Sequence, residues 1–116
     1  MKKVLIAEDE LIIAKVYARV LQKEGYEVKN VATGIDAKQL FEEFNPDVAI
    51  LDIQLKGDLT GIDVAQHIRK TSNIPLVFTT GNSAVHTEKE IIEIQNKHLL
   101  SKPVDYNIFL QLIKSL

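Results

Sequence analysis

The chain has 116 residues, 46% of them hydrophobic and 26% charged, with a net charge of −2, which suits one domain with a single core over residues 1–116 and leaves no room for a second. This balance excludes a disordered or polycationic chain, and because the basic residues are scattered, direct nucleic-acid binding is not expected. With no cysteine there is no disulfide scaffold, thiolate metal site or cysteine nucleophile, and with no apolar stretch of bilayer length a cytoplasmic chain without a membrane partner is expected.

Five short apolar runs recur, each followed by helical periodicity: Val4–Ala7, Tyr26–Val31, Val48–Leu51, Leu76–Phe78 and His98–Leu100. Such alternation predicts an α/β domain. After the first run, Leu11, Ala14, Ala18 and Leu21 fall at helical spacing, and Gly25 is placed to end that helix. The next three helices carry Ser/Thr-x-x-acid start signals, Thr33 with Asp36, Thr60 with Asp63 and Thr87 with Glu90. A last helix is expected from Asp105 through Ile108, Phe109 and Leu112. Runs one, three and four are continuously apolar, as in strands covered on both faces, whereas run two alternates and run five is short and flanked by His98 and Ser101. Runs two and five are therefore the expected edges. Right-handed crossovers then permit a doubly wound parallel sheet in the order 2-1-3-4-5, with strands one and three adjacent at the point where the winding reverses.

Strand one ends on Glu8-Asp9 and strand three on Asp52. Ligands bind beyond the carboxyl ends of strands in such sheets. Like charges about 4 Å apart cost on the order of 4 kcal/mol at an effective dielectric near 20, so converging acids call for a hard divalent cation or a proton. Thr80-Gly81 follows the fourth run and Lys102-Pro103 the fifth. A carboxylate nucleophile accepts a phosphoryl group when a metal and a cation neutralise the transferred charge. Asp52, Mg²⁺ and Lys102 would supply those parts, Thr80 would donate a hydrogen bond to a phosphoryl oxygen, and Pro103 would fix the loop.

With these features in order along one β/α ladder, the chain resembles a receiver domain of a two-component response regulator over essentially its whole length. The resemblance implies a flavodoxin-like (βα)5 fold and a phosphorylation-operated switch. Asp52 then corresponds to the phosphoacceptor, Asp9 to a direct Mg²⁺ ligand, Glu8 to a ligand acting through water, and Gln54 to a ligand through its backbone carbonyl. Thr80 corresponds to the switch hydroxyl and Lys102 to the lysine that pairs with the phosphoryl group. The implied partners are a sensor histidine kinase or phosphotransfer protein and, downstream, a protein effector or an output domain outside this sequence. The chain departs from the family pattern at Lys56, where proline is common, in the lengthened loop Lys56–Gly61, at Gly81, where alanine is more frequent, and at Leu99, where an aromatic residue is usual.

The plainer reading of each residue is a strand stop for Asp52, a helix-start acid for Glu8, Asp9 and Glu10, a surface cation for Lys102, and a β-favoured residue for Thr79 or Thr80. His67, His86 and His98 lack metal-ligand spacing and are expected at the surface or an edge. Ile91, Ile92 and Ile94 point around much of their helix, and part of this set with Leu99 and the last helix is expected to form a partner or homodimer surface. A phosphohydrolase with an aspartate nucleophile is a rival, but it usually has a second aspartate two residues on, where this chain has Gln54. A partner-binding module that works without phosphorylation is another.

Overall fold

Ten elements alternate along the chain: Lys3–Ala7 (β1), Leu11–Gln22 (α1), Glu27–Val31 (β2), Gly34–Phe44 (α2), Val48–Asp52 (β3), Gly61–Arg69 (α3), Leu76–Thr80 (β4), Glu88–Glu93 (α4), Lys97–Ser101 (β5) and Tyr106–Ser115 (α5). They are taken from a computed structural model that describes residues 2–81 and 88–116. All strand pairs are parallel, and the sheet order is β2-β1-β3-β4-β5, as the character of the apolar runs requires. All five residues of β3 are buried, whereas neither β2 nor β5 has a fully buried residue.

Side chains alternate across the sheet, so each strand feeds two cores. Leu5, Ala49, Leu51, Leu76 and Phe78 pack with Phe41 of α2, Ile68 of α3 and Ile91 at α4. On the opposite face Val4, Ile6, Ile50 and Val77 pack with Tyr17 and Leu21 of α1 and with Phe109 and Ile113 of α5. Each fully buried side chain of this size contributes about 1.5–3 kcal/mol, more than a helix cap at about 1 kcal/mol. Packing therefore dominates stability, and the caps set where helices begin.

Thr33 Oγ1 accepts from Asp36 N–H at 3.1 Å. Thr60 and Asp63 form a reciprocal capping box, with Asp63 N–H donating to Thr60 Oγ1 at 3.2 Å and Thr60 N–H to Asp63 Oδ2 at 2.8 Å. Asp105 caps α5 by accepting from Asn107 and Ile108 N–H at 2.9 and 3.1 Å, so the helix itself starts at Tyr106. Thr87, Asn82 and His86 lie outside the described residues. Gly25, at φ +89°, closes α1: its N–H donates to Gln22 O at 3.0 Å while Tyr26 N–H reaches Leu21 O at 3.2 Å, a Schellman ending that favours glycine.

The helix expected from Leu11, Ala14, Ala18 and Leu21 is α1. Leu11 is 61% exposed, because it stands in the first turn beyond the ends of the strands, and Tyr17 joins Ala14 and Leu21 on the buried face instead. In the α4 region Ile91 and Ile94 belong to the core while Ile92 is exposed, and Leu99 on β5 is exposed as well.

The turn after β3 holds the end of that strand in place. Ile53 N–H donates to Thr79 O at 3.1 Å and Gly61 N–H to Ile53 O at 3.0 Å. A Cβ on Gly61 would lie 2.2 Å from the Asp52 carbonyl oxygen, whereas one on Gly57, at φ +91°, would meet no atom. Gly61→Ala must move backbone that carries Asp52. It is expected to destabilise by about 1–3 kcal/mol, as overpacking does, against about 1 kcal/mol for the conformational strain of Gly57→Ala. Urea denaturation of both variants measures the difference.

Candidate functional site

β1 and β3 are neighbours with Ala7 opposite Leu51, so the next residue of each chain segment brings Glu8 beside Asp52. Both are buried, at 1% and 4% exposure. Lys102 reaches them from the end of β5. Its backbone is fixed by a 2.7 Å hydrogen bond from its N–H to Thr80 O, and its peptide bond to Pro103 is cis. Its ammonium donates to Asp52 Oδ2 at 2.8 Å and lies 3.0 Å from Glu8 Oε1. The stem passes Gly81, where an added Cβ would make ordinary contact with Lys102 Cδ at 3.7 Å. Alanine would fit there, and no close approach demands glycine.

Backbone donors aim the two carboxylates. Gln54 N–H donates to Asp52 Oδ1 at 3.1 Å, and Glu10 N–H to Glu8 Oε2 at 3.0 Å. Glu8 Oε1 has no aligned hydrogen-bond donor, only the nearby ammonium charge. Burial, the largest influence, pushes the Glu8 carboxyl up to about 7 despite its Glu10 and Lys102 partners. Burial alone would lower Lys102, but its hydrogen bond to Asp52 and its ion pair with Glu8 outweigh that and hold it raised.

Asp9 completes an acidic group in which one oxygen each from Glu8, Asp9 and Asp52 lie within 4.8 Å of one another. Three carboxylates face one ammonium, so the fully ionised group carries a formal excess of two negative charges. The orphaned Glu8 oxygen and an all-oxygen donor set fit a hard divalent cation. Asp9, Asp52, Gln54, Lys56, Gly81 and Lys102 line a cavity of about 440 Å³ at this edge.

The structure thus brings Glu8, Asp9, Asp52 and Lys102 together, with Gln54 beside them. Thr79 is opposite Asp52 in the sheet and buried, its hydroxyl without a hydrogen-bond partner among the described residues. Thr80 is half-buried at the last position of β4, opposite Ser101. His67 is remote from these acids, paired with Glu42 Oε1 at 3.0 Å, and His98 lies on the edge strand β5. Two features of the site carry no local sequence signal. The Glu8–Lys102 ion pair joins residues 94 positions apart, which only the fold reveals. Tyr17 is buried with an unpartnered hydroxyl, stacked on Phe109 at 4.7 Å, and burial followed by the Glu8 charge pushes it up to about 12.

Comparison with known proteins gives one family. The model of the response regulator receiver domain matches residues 4–114. The chain is 35% identical over 101 residues to the uncharacterized transcriptional regulatory protein YrkP of Bacillus subtilis, covering 87% of this chain and 43% of that protein. It therefore spans less than half of that relative's length. It is 28% identical to the polar-differentiation response regulator DivK of Brucella ovis, covering 98% of this chain and 94% of DivK. Among solved structures, the chemotaxis protein CheY4 of Vibrio cholerae superposes with a TM-score of 0.89 at 25% identity, covering 99% of this chain and 98% of that one.

The raised Glu8 carboxyl gives the metal-free protein a distinct pH dependence. Between about 4.5 and 7 the folded state holds a proton that the unfolded chain has released, so stability falls as pH rises through that window, by at most about 1.4 kcal/mol per pH unit. Glu8→Gln is expected to remove this slope. Urea denaturation of both proteins from pH 4.5 to 7.5 in chelator measures it, read as the difference between the two profiles.

Proposed function

The chain belongs to the response regulator receiver family, and we propose that it accepts a phosphoryl group on Asp52 from the phosphohistidine of a sensor histidine kinase or phosphotransfer protein. Receiver domains are phosphorylation-operated signalling switches, and the acceptor role is carried here by one observation. Asp52 is a buried carboxylate whose Oδ2 already holds the Lys102 ammonium at 2.8 Å, with two further acids in reach. Residues 1–116 act as a single receiver unit.

In the step, an Asp52 carboxylate oxygen forms a bond to phosphorus, the phosphorus–nitrogen bond to the donor imidazole breaks, and its electron pair stays on the imidazole. Asp9 and Asp52, the Gln54 carbonyl, and Glu8 through water would hold Mg²⁺, which when bound supplies positive charge to the phosphoryl oxygens. Gln54 N–H keeps the Asp52 carboxylate oriented. Lys102 exchanges its carboxylate partner for a phosphoryl oxygen, and the Thr80 hydroxyl donates to another. The outcome biases a two-state equilibrium and is read by a protein partner, with Ile92, Leu99 and α5 as the proposed contact face for an effector or a second copy of this chain. Turnover is confined to the domain's own phosphorylation and its loss. No helix among the described residues is long and apolar enough to cross a membrane, in keeping with a cytoplasmic partner set.

Incubation with a small acyl phosphate and Mg²⁺ is expected to add one phosphoryl group to the wild-type chain and none to Asp52→Asn, read by intact mass. Asp9→Asn is expected to slow labelling by about tenfold or more, in line with the effect of disturbing a metal's surroundings. Equal labelling of wild type and Asp52→Asn would overturn the acceptor assignment.

A further inference from the structure

Lys56 lies on the wall of the cavity that contains Asp9, Asp52 and Lys102. Its side chain is exposed, and among the described residues it forms no hydrogen bond or ion pair. An exposed lysine ordinarily signifies only solubility. This one differs in where its backbone is held. Lys56 forms a parallel bridge with Thr33, at the start of α2, outside the regular strands. Gly57 turns the chain immediately afterwards at φ +91°. Leu59 then packs on the first residue of α2 so closely that a Cβ on Gly34 would lie 2.5 Å from Leu59 Cβ. Two anchors therefore fix the root of an exposed cationic side chain on the wall of the acceptor cavity.

The charge of that cavity gives the position its meaning. Glu8, Asp9 and Asp52 carry three formal negative charges that Lys102 and a bound divalent cation together offset, so no net positive charge is left at the site to attract a phosphoryl donor, which arrives as an anion. Lys102 is already engaged inside by Asp52 and Glu8, whereas Lys56, which lines a second cavity with Asp36 and Asp58, forms an ion pair with neither. A cation at the rim of a binding site acts chiefly on the rate of encounter and on its salt dependence.

We propose that Lys56 is a specificity-determining residue for phosphotransfer: its ammonium draws anionic phosphoryl donors to Asp52 and favours donors of higher negative charge. This inference rests on the reading of Asp52 as the acceptor.

The test uses the full chain with Mg²⁺ and two small donors, an acyl phosphate that is doubly charged near neutral pH and phosphoramidate, which carries one net negative charge. At low ionic strength Lys56→Gln is expected to lower the second-order rate constant for labelling by the acyl phosphate about threefold to tenfold and for phosphoramidate by less. Lys56→Arg retains the charge and is expected to keep the wild-type rate. The difference between wild type and Lys56→Gln is expected to shrink towards nothing at about 0.5 M salt, where the screening length is only a few ångströms. Thermal midpoints of the three proteins are expected to agree, since a charge reaching into solvent carries no packing. If Lys56→Gln labels as fast as wild type at low salt, or if Lys56→Arg is as slow as Lys56→Gln, the inference is overturned. A wild-type chain that takes no phosphoryl group from either donor overturns the acceptor reading itself, an outcome distinguishable from the other two.

Discussion

The ammonium of Lys102 is the contact on which the carboxyl edge of the sheet depends. It lies against two buried acids from two different strands, at 2.8 and 3.0 Å, and offsets their charge, while its own root is tied to β4. Removing one partner of a buried ion pair typically costs 3–5 kcal/mol, because the remaining charge is left without water or counterion. A buried acid cluster is tolerable here only because β5 delivers a cation across β4 to β3 and β1. That delivery requires the strand order: Lys102 follows an edge strand, and the acids follow the two strands at the centre.

The two cores explain how the fold supports so unfavourable a group. Continuous apolar strands feed both layers, and their buried side chains outweigh the local cost of three carboxylates by a wide margin. The same centrality that stabilises β1 and β3 buries the residues immediately beyond them. Glu8, raised to about 7 by burial, marks the tension. A residue whose charge is disfavoured by its surroundings, next to a group that needs charge to work, is what a site built for an incoming cation and anion would hold.

The fold was legible because hydrophobic burial writes directly into sequence. The apolarity of Val48–Leu51 and the alternation in Glu27–Val31 separated central from edge strands, and Thr33 and Thr60 marked helix starts that the backbone then uses. Asp52, Asp9 and Lys102 could be brought together on paper because each follows a strand whose neighbours were already fixed. What could not be read was direction within an element. Leu11 has the spacing of a core residue but sits past the strand ends, and Ile91, Ile92 and Ile94 required the actual helix phase to sort two buried residues from one exposed. Nor could the partner of Glu8 be read. Side-chain reach across β4 is a property of the finished sheet, and the Lys56 loop owes its course to a bridge with Thr33 that no local pattern announces.

The same geometry determines which parts of the domain can respond when the contacts of Lys102 change. The lysine backbone is held by β4, and β5 is paired to β4 at every position from Lys97 to Ser101. A displaced ammonium is therefore absorbed by the torsions of its own side chain before it moves the strand. α3 buries Gly61, Ile62, Val64, Ala65 and Ile68, and a shift there has to repack a core that is as dense as a crystal. The α4 region joins the same core through Ile91 and, just beyond Glu93, Ile94. A response to a changed acceptor that spares the α3 core would therefore be read on exposed apolar side chains such as Ile92 and Leu99.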